Sequence, residues 1–167
     1  VQHLLLRVTF LPMDNDGFRQ RRAECFSYTD CSYDPATGIA TLSYAVDGQV
    51  LQEKITFPWA PWPVDASRQS AFFQSLELLH LIAGISYYKA GLARRIDTGN
   101  SHVDKSVAAF LNELYLQGLG EFAYVNQLDL SGQVTFEVNT DEAQRVSSAA
   151  METDLPERAL VAMGGGK

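Results

Sequence analysis

The chain has 167 residues, 46% of them hydrophobic, and a formal net charge of −7. That length sets one domain with room for the edge of a second, and the apolar share is enough to bury a core. The acidic balance argues against a general nucleic-acid or anionic-membrane surface, and the sequence has neither an apolar run of membrane-spanning length nor a signal-peptide pattern.

A cytoplasmic protein with neither nucleic acid nor membrane as partner is therefore expected. A front cropped before Val1 is expected as well, because no methionine opens the chain. From His3 to Leu11, Leu4, Leu6, Val8 and Phe10 fall on one face with Leu5 and Leu11 on the other, which predicts a strand ended by Pro12 and the turn Asp14 to Gly17. Arg19 to Arg22 is a basic knot that either holds an anion or forms a solvated strand end beside Glu24. Ala23 to Tyr33 reads as a second strand, with Cys25, Ser27, Thr29 and Cys31 opposite Phe26 and Tyr28. Residues six apart on one face lie roughly 20 Å apart, so Cys25 and Cys31 cannot form a disulfide with each other. Packing is their expected role.

Asp34 to Gly38 predicts a hairpin loop, Ile39 to Val46 a strand, Asp47-Gly48 a two-residue hairpin turn and Val50 to Phe57 the last strand of a meander. Three prolines between Pro58 and Pro63 forbid helix and central strand alike. Trp59 and Trp62 on that stiff connector either cap the sheet or stack on a ligand.

Asp65 is the expected N-cap of the longest helix, Ala66 to about Ala93, whose circumference is mostly apolar. Gln74, Glu77 and His80 form its one polar strip; Glu77 and His80 could be acid-base equipment or a surface pair. At the end of that helix, Tyr87, Tyr88 and Lys89 concentrate polar tips between Gly84 and Gly91 and are candidates for contact with substrate. Lys89 and Arg94-Arg95 are also explained by the dipole of a helix C-terminus. After a loop over Ile96 to Asn100, Ser101 is expected to cap a second helix, with Asp104 completing a capping box and Gly118 and Gly120 as the stop. Glu121 to Leu130 is expected to be strand or irregular, and Gln133 to Val138 a strand.

His3, His80 and His102 are scattered, without the spacings of a protein-built zinc site, and there is no G-x-S-x-G nucleophile elbow. Chemistry is suggested instead by Ala159 to Lys167. An apolar run covered on both faces would be a parallel strand, and Gly164, Gly165 and Gly166 would let backbone N–H groups approach phosphate oxygens closely. A Walker A loop fails, because Val161 stands where its first glycine belongs. A dinucleotide G-x-G-x-x-G stays open, as do a flexible tail and an ordinary Gly-rich turn. The S-G-G-x-D-S loop of PP-loop ATP pyrophosphatases aligns over four places, with glycine for its serine.

The meander, the Trp-Pro connector, the helix from Phe72 to Lys89 with its Tyr-Tyr-Lys end, and Leu160 to Lys167 together resemble the N-terminal part of the UDP-N-acetylmuramoyl-L-alanyl-L-glutamate epimerase family. The resemblance covers essentially the whole chain. It implies an α+β fold: an antiparallel β-meander packed on long helices over 1–152, then at 153–167 the first strand and Gly-rich loop of a truncated α/β PP-loop nucleotide domain. It also implies a UDP-linked muramoyl dipeptide substrate, ATP and Mg2+ as cofactors, and inversion of the terminal L-glutamate through an acyl adenylate. Gly164, Gly165, Gly166 and Lys167 would hold ATP phosphates, and the proton-abstracting base and the magnesium ligands would lie beyond Lys167. Another PP-loop adenylating enzyme, or a non-enzymatic binding module with a glycine tail, is the alternative.

Overall fold

The computed structural model describes residues 22–57 and 66–139. The strand expected over His3 to Leu11, Trp59, Trp62, the Asp65 cap and everything from 140 to 167 lie outside these residues. The architecture is α+β: one four-stranded sheet with helices packed on it.

Strands β1 (Cys25–Asp34), β2 (Ile39–Val46) and β3 (Gln49–Thr56) form the expected antiparallel meander. Asp47 and Gly48 both hold positive φ, 47° and 83°, the backbone that a two-residue primed turn demands. The Asp47 side chain also fastens the start of β1, its Oδ1 accepting from the N–H groups of Glu24 and Cys25 at 2.9 Å each. In the other hairpin, the Asp34 carboxylate accepts from the Thr37 hydroxyl and the Ala36 N–H, which hold its pKa below the ordinary carboxylate value.

β1 carries a bulge: Tyr28 pairs with Tyr44, but the next pair is Asp30 with Ser43. The extra residue, Thr29, changes the alternation, so Phe26 and Tyr28 face the core before it and Cys31 and Tyr33 after it. Cys31 Sγ accordingly lies 3.8 Å from the Leu76 carbonyl and the Tyr33 ring 4.8 Å from Phe72. The two cysteines therefore sit on opposite faces, not on the shared face that simple alternation predicts. Both thiols are free.

The sheet is mixed rather than a pure meander. Its order is β3-β2-β1-β4, and β4 (Arg95–Asp97) runs parallel to β1, pairing Cys25 with Arg95 and Ser27 with Asp97. The stretch read as a loop from Ile96 thus begins as a strand.

The long helix expected to reach Ala93 is shorter. α1 (Ala66–Ala83) ends at Gly84, and a single further turn, α2 (Ile85–Tyr88), follows. Tyrosine hydroxyls occupy the end of α1: Tyr44 donates to the His80 carbonyl at 3.2 Å, while Tyr28 and Tyr115 converge on the Leu81 carbonyl at 3.0 and 2.9 Å. A helix C-terminus leaves such carbonyls short of partners, though that of His80 also accepts from the Gly84 N–H at 3.1 Å. A Cβ on Gly84 would stand 2.5 Å from the Tyr28 hydroxyl, so only glycine fits beneath the pair. Nor is α1 covered all round, since Phe73, Leu78 and Leu79 are exposed.

α3 (Lys105–Gly118) is capped by Asp104 itself, whose Oδ1 accepts from Val107 N at 2.9 Å and from the Ser106 hydroxyl at 2.7 Å. Asp104 lies three residues before Val107, the spacing at which a cap side chain reaches the N3 N–H, so Ser101 is left in the preceding loop. α4 (Gly120–Val125) replaces the strand or irregular stretch expected there. Over 133–138, Val134 and Phe136 are buried in alternation, as expected, yet the segment joins no sheet. Phe136 N donates to the Asn112 side chain on α3 instead, at 2.8 Å.

The core fills the space between one face of the sheet and α1, α2 and α3. Phe26 stacks on Tyr44 at 5.8 Å and meets Tyr28 and Tyr88 edge-on at 5.2 and 5.8 Å. Leu42, Leu81, Leu92 and Leu111 complete it. Each such side chain contributes on the order of 1.5–3 kcal/mol by leaving water.

Candidate functional site

A cleft of about 990 Å3 opens between α1, the middle of β1 and the loop joining β4 to α3. The bulge at Thr29 and the polar strip of α1 form two of its walls. The third is the loop from Thr98 to Val103, shaped by Gly99 at φ +57°, where a Cβ would lie 2.6 Å from the Tyr28 carbonyl. Asn139 pins that loop from behind: Nδ2 donates to the Ser101 carbonyl at 2.8 Å and to Thr98 Oγ1 at 3.1 Å, and Oδ1 accepts from Val103 N at 2.9 Å.

Glu77 and His102 meet across the cleft. One carboxylate oxygen accepts from His102 N at 2.8 Å, and the ring Nδ1 lies 3.2 and 3.3 Å from the two oxygens. This contact fixes both the carboxylate and the loop, and it directs the ring proton to Nδ1. Glu77 therefore pairs with a histidine 25 residues away and not with His80, its neighbour on the helix. No spacing rule would have joined these two positions.

His80 is 2% exposed and turns inward. Its Nε2 lies 3.0 Å from the Ser43 carbonyl, so the neutral ring donates there. Burial lowers its pKa, opposed by that carbonyl. Nδ1 has no hydrogen-bond partner among the described residues. Cys31, also on the cleft wall, has its thiol pushed up to about 11, mainly by burial and then by Asp30 and Glu77. It stays protonated and unreactive at neutral pH.

The three residues proposed for substrate contact do not share one surface. Tyr88 is fully buried and donates to the Ala93 carbonyl at 3.1 Å. Tyr87 stacks on Tyr44 at 4.6 Å and has its pKa raised by burial and then by Glu53. Lys89 borders a second hollow of about 440 Å3 with Ser86, Glu121 and Asn126. Arg22, the described end of the basic knot, ties the chain together instead of standing free: its guanidinium donates to the Leu92 carbonyl at 2.7 Å and to the Gln133 side chain. Arg94 and Arg95 form exposed ion pairs with Glu24 and Asp97 at 3.4 and 3.6 Å.

The described residues lining the large cleft include two carboxylates, Asp30 and Glu77, and neither lysine nor arginine. That donor set does not suit a polyphosphate, which calls for cations or clustered N–H groups. Among the described residues, no group of three His, Cys, Asp or Glu is placed to hold a metal ion. The expected phosphate cradle, Gly164 to Lys167, lies outside the described residues. No described helix is long and apolar enough to cross a membrane.

Comparison with known proteins gives the family of the chain. Residues 17–167 match the MurL N-terminal domain, and the chain belongs to that family. A UDP-N-acetyl-alpha-D-muramoyl-L-alanyl-L-glutamate epimerase of Xanthomonas oryzae pv. oryzae is 42% identical over 152 residues, 90% of this chain and 33% of that protein. Proteins of the same name from a Micromonospora species and from Salinispora tropica are 36% and 35% identical, each over 88% of this chain. The chain spans about a third of the length of these curated relatives, 33%, 33% and 32% respectively. No solved structure matches it.

Proposed function

We propose that this chain is the N-terminal part of an epimerase that inverts the terminal L-glutamate of UDP-N-acetylmuramoyl-L-alanyl-L-glutamate in peptidoglycan precursor synthesis. The observation that carries the reading is the 42% identity over 90% of the chain to a protein of that name, together with the family match over residues 17–167.

The α-proton of a free carboxylate is very weakly acidic, because the carbanion would sit beside a negative charge. ATP with Mg2+ would supply activation of that carboxylate as an acyl adenylate, which removes the charge and acidifies the proton for a general base. Residues 153–167 would form the first strand and loop of the nucleotide domain. Within them, the backbone N–H groups of Gly164, Gly165 and Gly166 would hold phosphate oxygens and Lys167 would neutralise their charge. Tyr87 and Lys89 keep part of their surface, so these two could touch substrate while Tyr88 supports them from within the core.

The test is product stereochemistry. The intact protein is incubated with the UDP-linked dipeptide, ATP and magnesium, the product is hydrolysed and its glutamate resolved by chirality. ATP-dependent appearance of D-glutamate is expected. Recovery of L-glutamate alone would reject the reading.

A further inference from the structure

We propose that the cleft between α1 and the β4–α3 loop seats an uncharged, polyhydroxylated ligand moiety, a sugar ring bearing amide groups. This rests on the substrate reading above, in which the moiety is the N-acetylated sugar with its lactyl amide, the neutral middle of a molecule charged at both ends.

Charge gives the first argument. Asp30 and Glu77 face the cleft without any lysine or arginine among its described lining residues, so a diphosphate or a glutamate carboxylate would be repelled there. A metal ion is no better served, because among the described residues no group of three His, Cys, Asp or Glu is placed to hold one. A neutral ring with hydroxyl donors meets acceptors on both sides.

Surface chemistry gives the second. Asn100, Ser101 and Gln74 add amide and hydroxyl partners to the carboxylates, and Phe73, 43% exposed, offers an apolar face beside them. Few polar groups fixed around an apolar surface are the usual composition of a small-molecule site, and a volume of about 990 Å3 is ample for a substituted sugar.

Preorganisation gives the third. Glu77 is already held by two contacts from His102, at 2.8 Å through its N–H and 3.2 Å through its ring, and Asn139 holds the same loop. A ligand accepted there would not have to order either wall, which favours binding.

The experiment uses the intact protein. Ser70, on the exposed rim of the cleft, is replaced by tryptophan to fill it, and Glu77 by glutamine. Ser70→Trp should raise KM for the UDP-linked dipeptide at least tenfold with kcat within about twofold, and Glu77→Gln should raise the same KM several-fold; KM for ATP should not move. An unchanged dipeptide KM in both variants, at unchanged melting temperature, overturns the assignment, and so does a rise confined to ATP.

A second readout needs no turnover and so separates this inference from the proposed activity. The imidazole signal of His102 is followed by NMR during titration with methyl N-acetylglucosaminide and, separately, with UDP. A shift with the neutral sugar and none with UDP supports the assignment even if no epimerisation is found. No shift with the sugar, or a shift with UDP alone, overturns it.

Discussion

The hydroxyl oxygens of Tyr28 and Tyr115 lie 2.5 Å apart, and both lie within reach of one carbonyl, that of Leu81. Two hydroxyl protons serve three contacts, so one tyrosine donates to the carbonyl and the other donates into its partner. Burial is the main cause that raises both pKa values, so the pair stays neutral. It joins β1, α1 and α3 at one point and marks where α1 stops.

Replacing either tyrosine by phenylalanine should cost about 1–2 kcal/mol, because a buried partner is left short of a bond. The double replacement should cost less than the sum, since each single change already breaks the shared contact. Urea denaturation of the three variants measures this, and additive losses would show that the hydroxyls act independently.

Gly84→Ala tests the space beneath that pair. An alanine at an ordinary helical φ would by propensity alone stabilise the protein by up to about 1 kcal/mol. Its Cβ, however, would stand 2.5 Å from the Tyr28 hydroxyl and 2.8 Å from that of Tyr115, and such overpacking costs about 1–3 kcal/mol. A net loss of stability is expected. Gly120→Ala is the control: nothing lies within 4 Å of its Cβ position, so thermal melting should show a neutral or stabilising change.

His80 predicts a pH dependence. Burial lowers its folded pKa below the ordinary 6.5, so on acidification the unfolded chain binds the proton first. Its contribution to stability is complete above the unfolded pKa and is lost as pH falls below it, by at most about 1.4 kcal/mol per pH unit, until the folded ring is itself protonated. Between pH 7 and pH 5 the native protein should lose stability more steeply than His80→Gln. Parallel curves for the two proteins in chemical denaturation would contradict the assignment.

Gly165→Val in the intact protein should weaken ATP binding at least tenfold, because a branched side chain blocks the close backbone approach that a phosphate needs. Isothermal calorimetry with unchanged affinity would remove the phosphate role from the glycine run.

The sheet was legible in the sequence where local chemistry decides it. Asp47-Gly48 and Asp34 with Thr37 set their turns within a few residues, and the alternation of Ile39 to Val46 follows from them. What escaped was decided at long range. Thr29 changes the face of Cys31 only because β2 pairs around it, and β4 is three residues long and pairs with a strand about seventy positions earlier. The apolar run through Gly84 looks continuous until tyrosines from β1, β2 and α3 gather at the end of α1. Glu77 and His102 were each visible as polar residues, but nothing in the spacing of 25 positions said that they meet. The Gly-Gly-Gly-Lys cradle lies outside the described residues, so the fold neither adds to it nor subtracts from it.

Deuterium wash-in tests the proposed chemistry most directly. The intact protein is turned over in D2O with the UDP-linked dipeptide, ATP and magnesium, and the α-carbon of the terminal glutamate is examined by NMR or mass spectrometry. One solvent deuterium at that carbon in the inverted product, and none without ATP, is the predicted result. Amidation of the glutamate, or turnover with the α-proton fully retained, would contradict an epimerase.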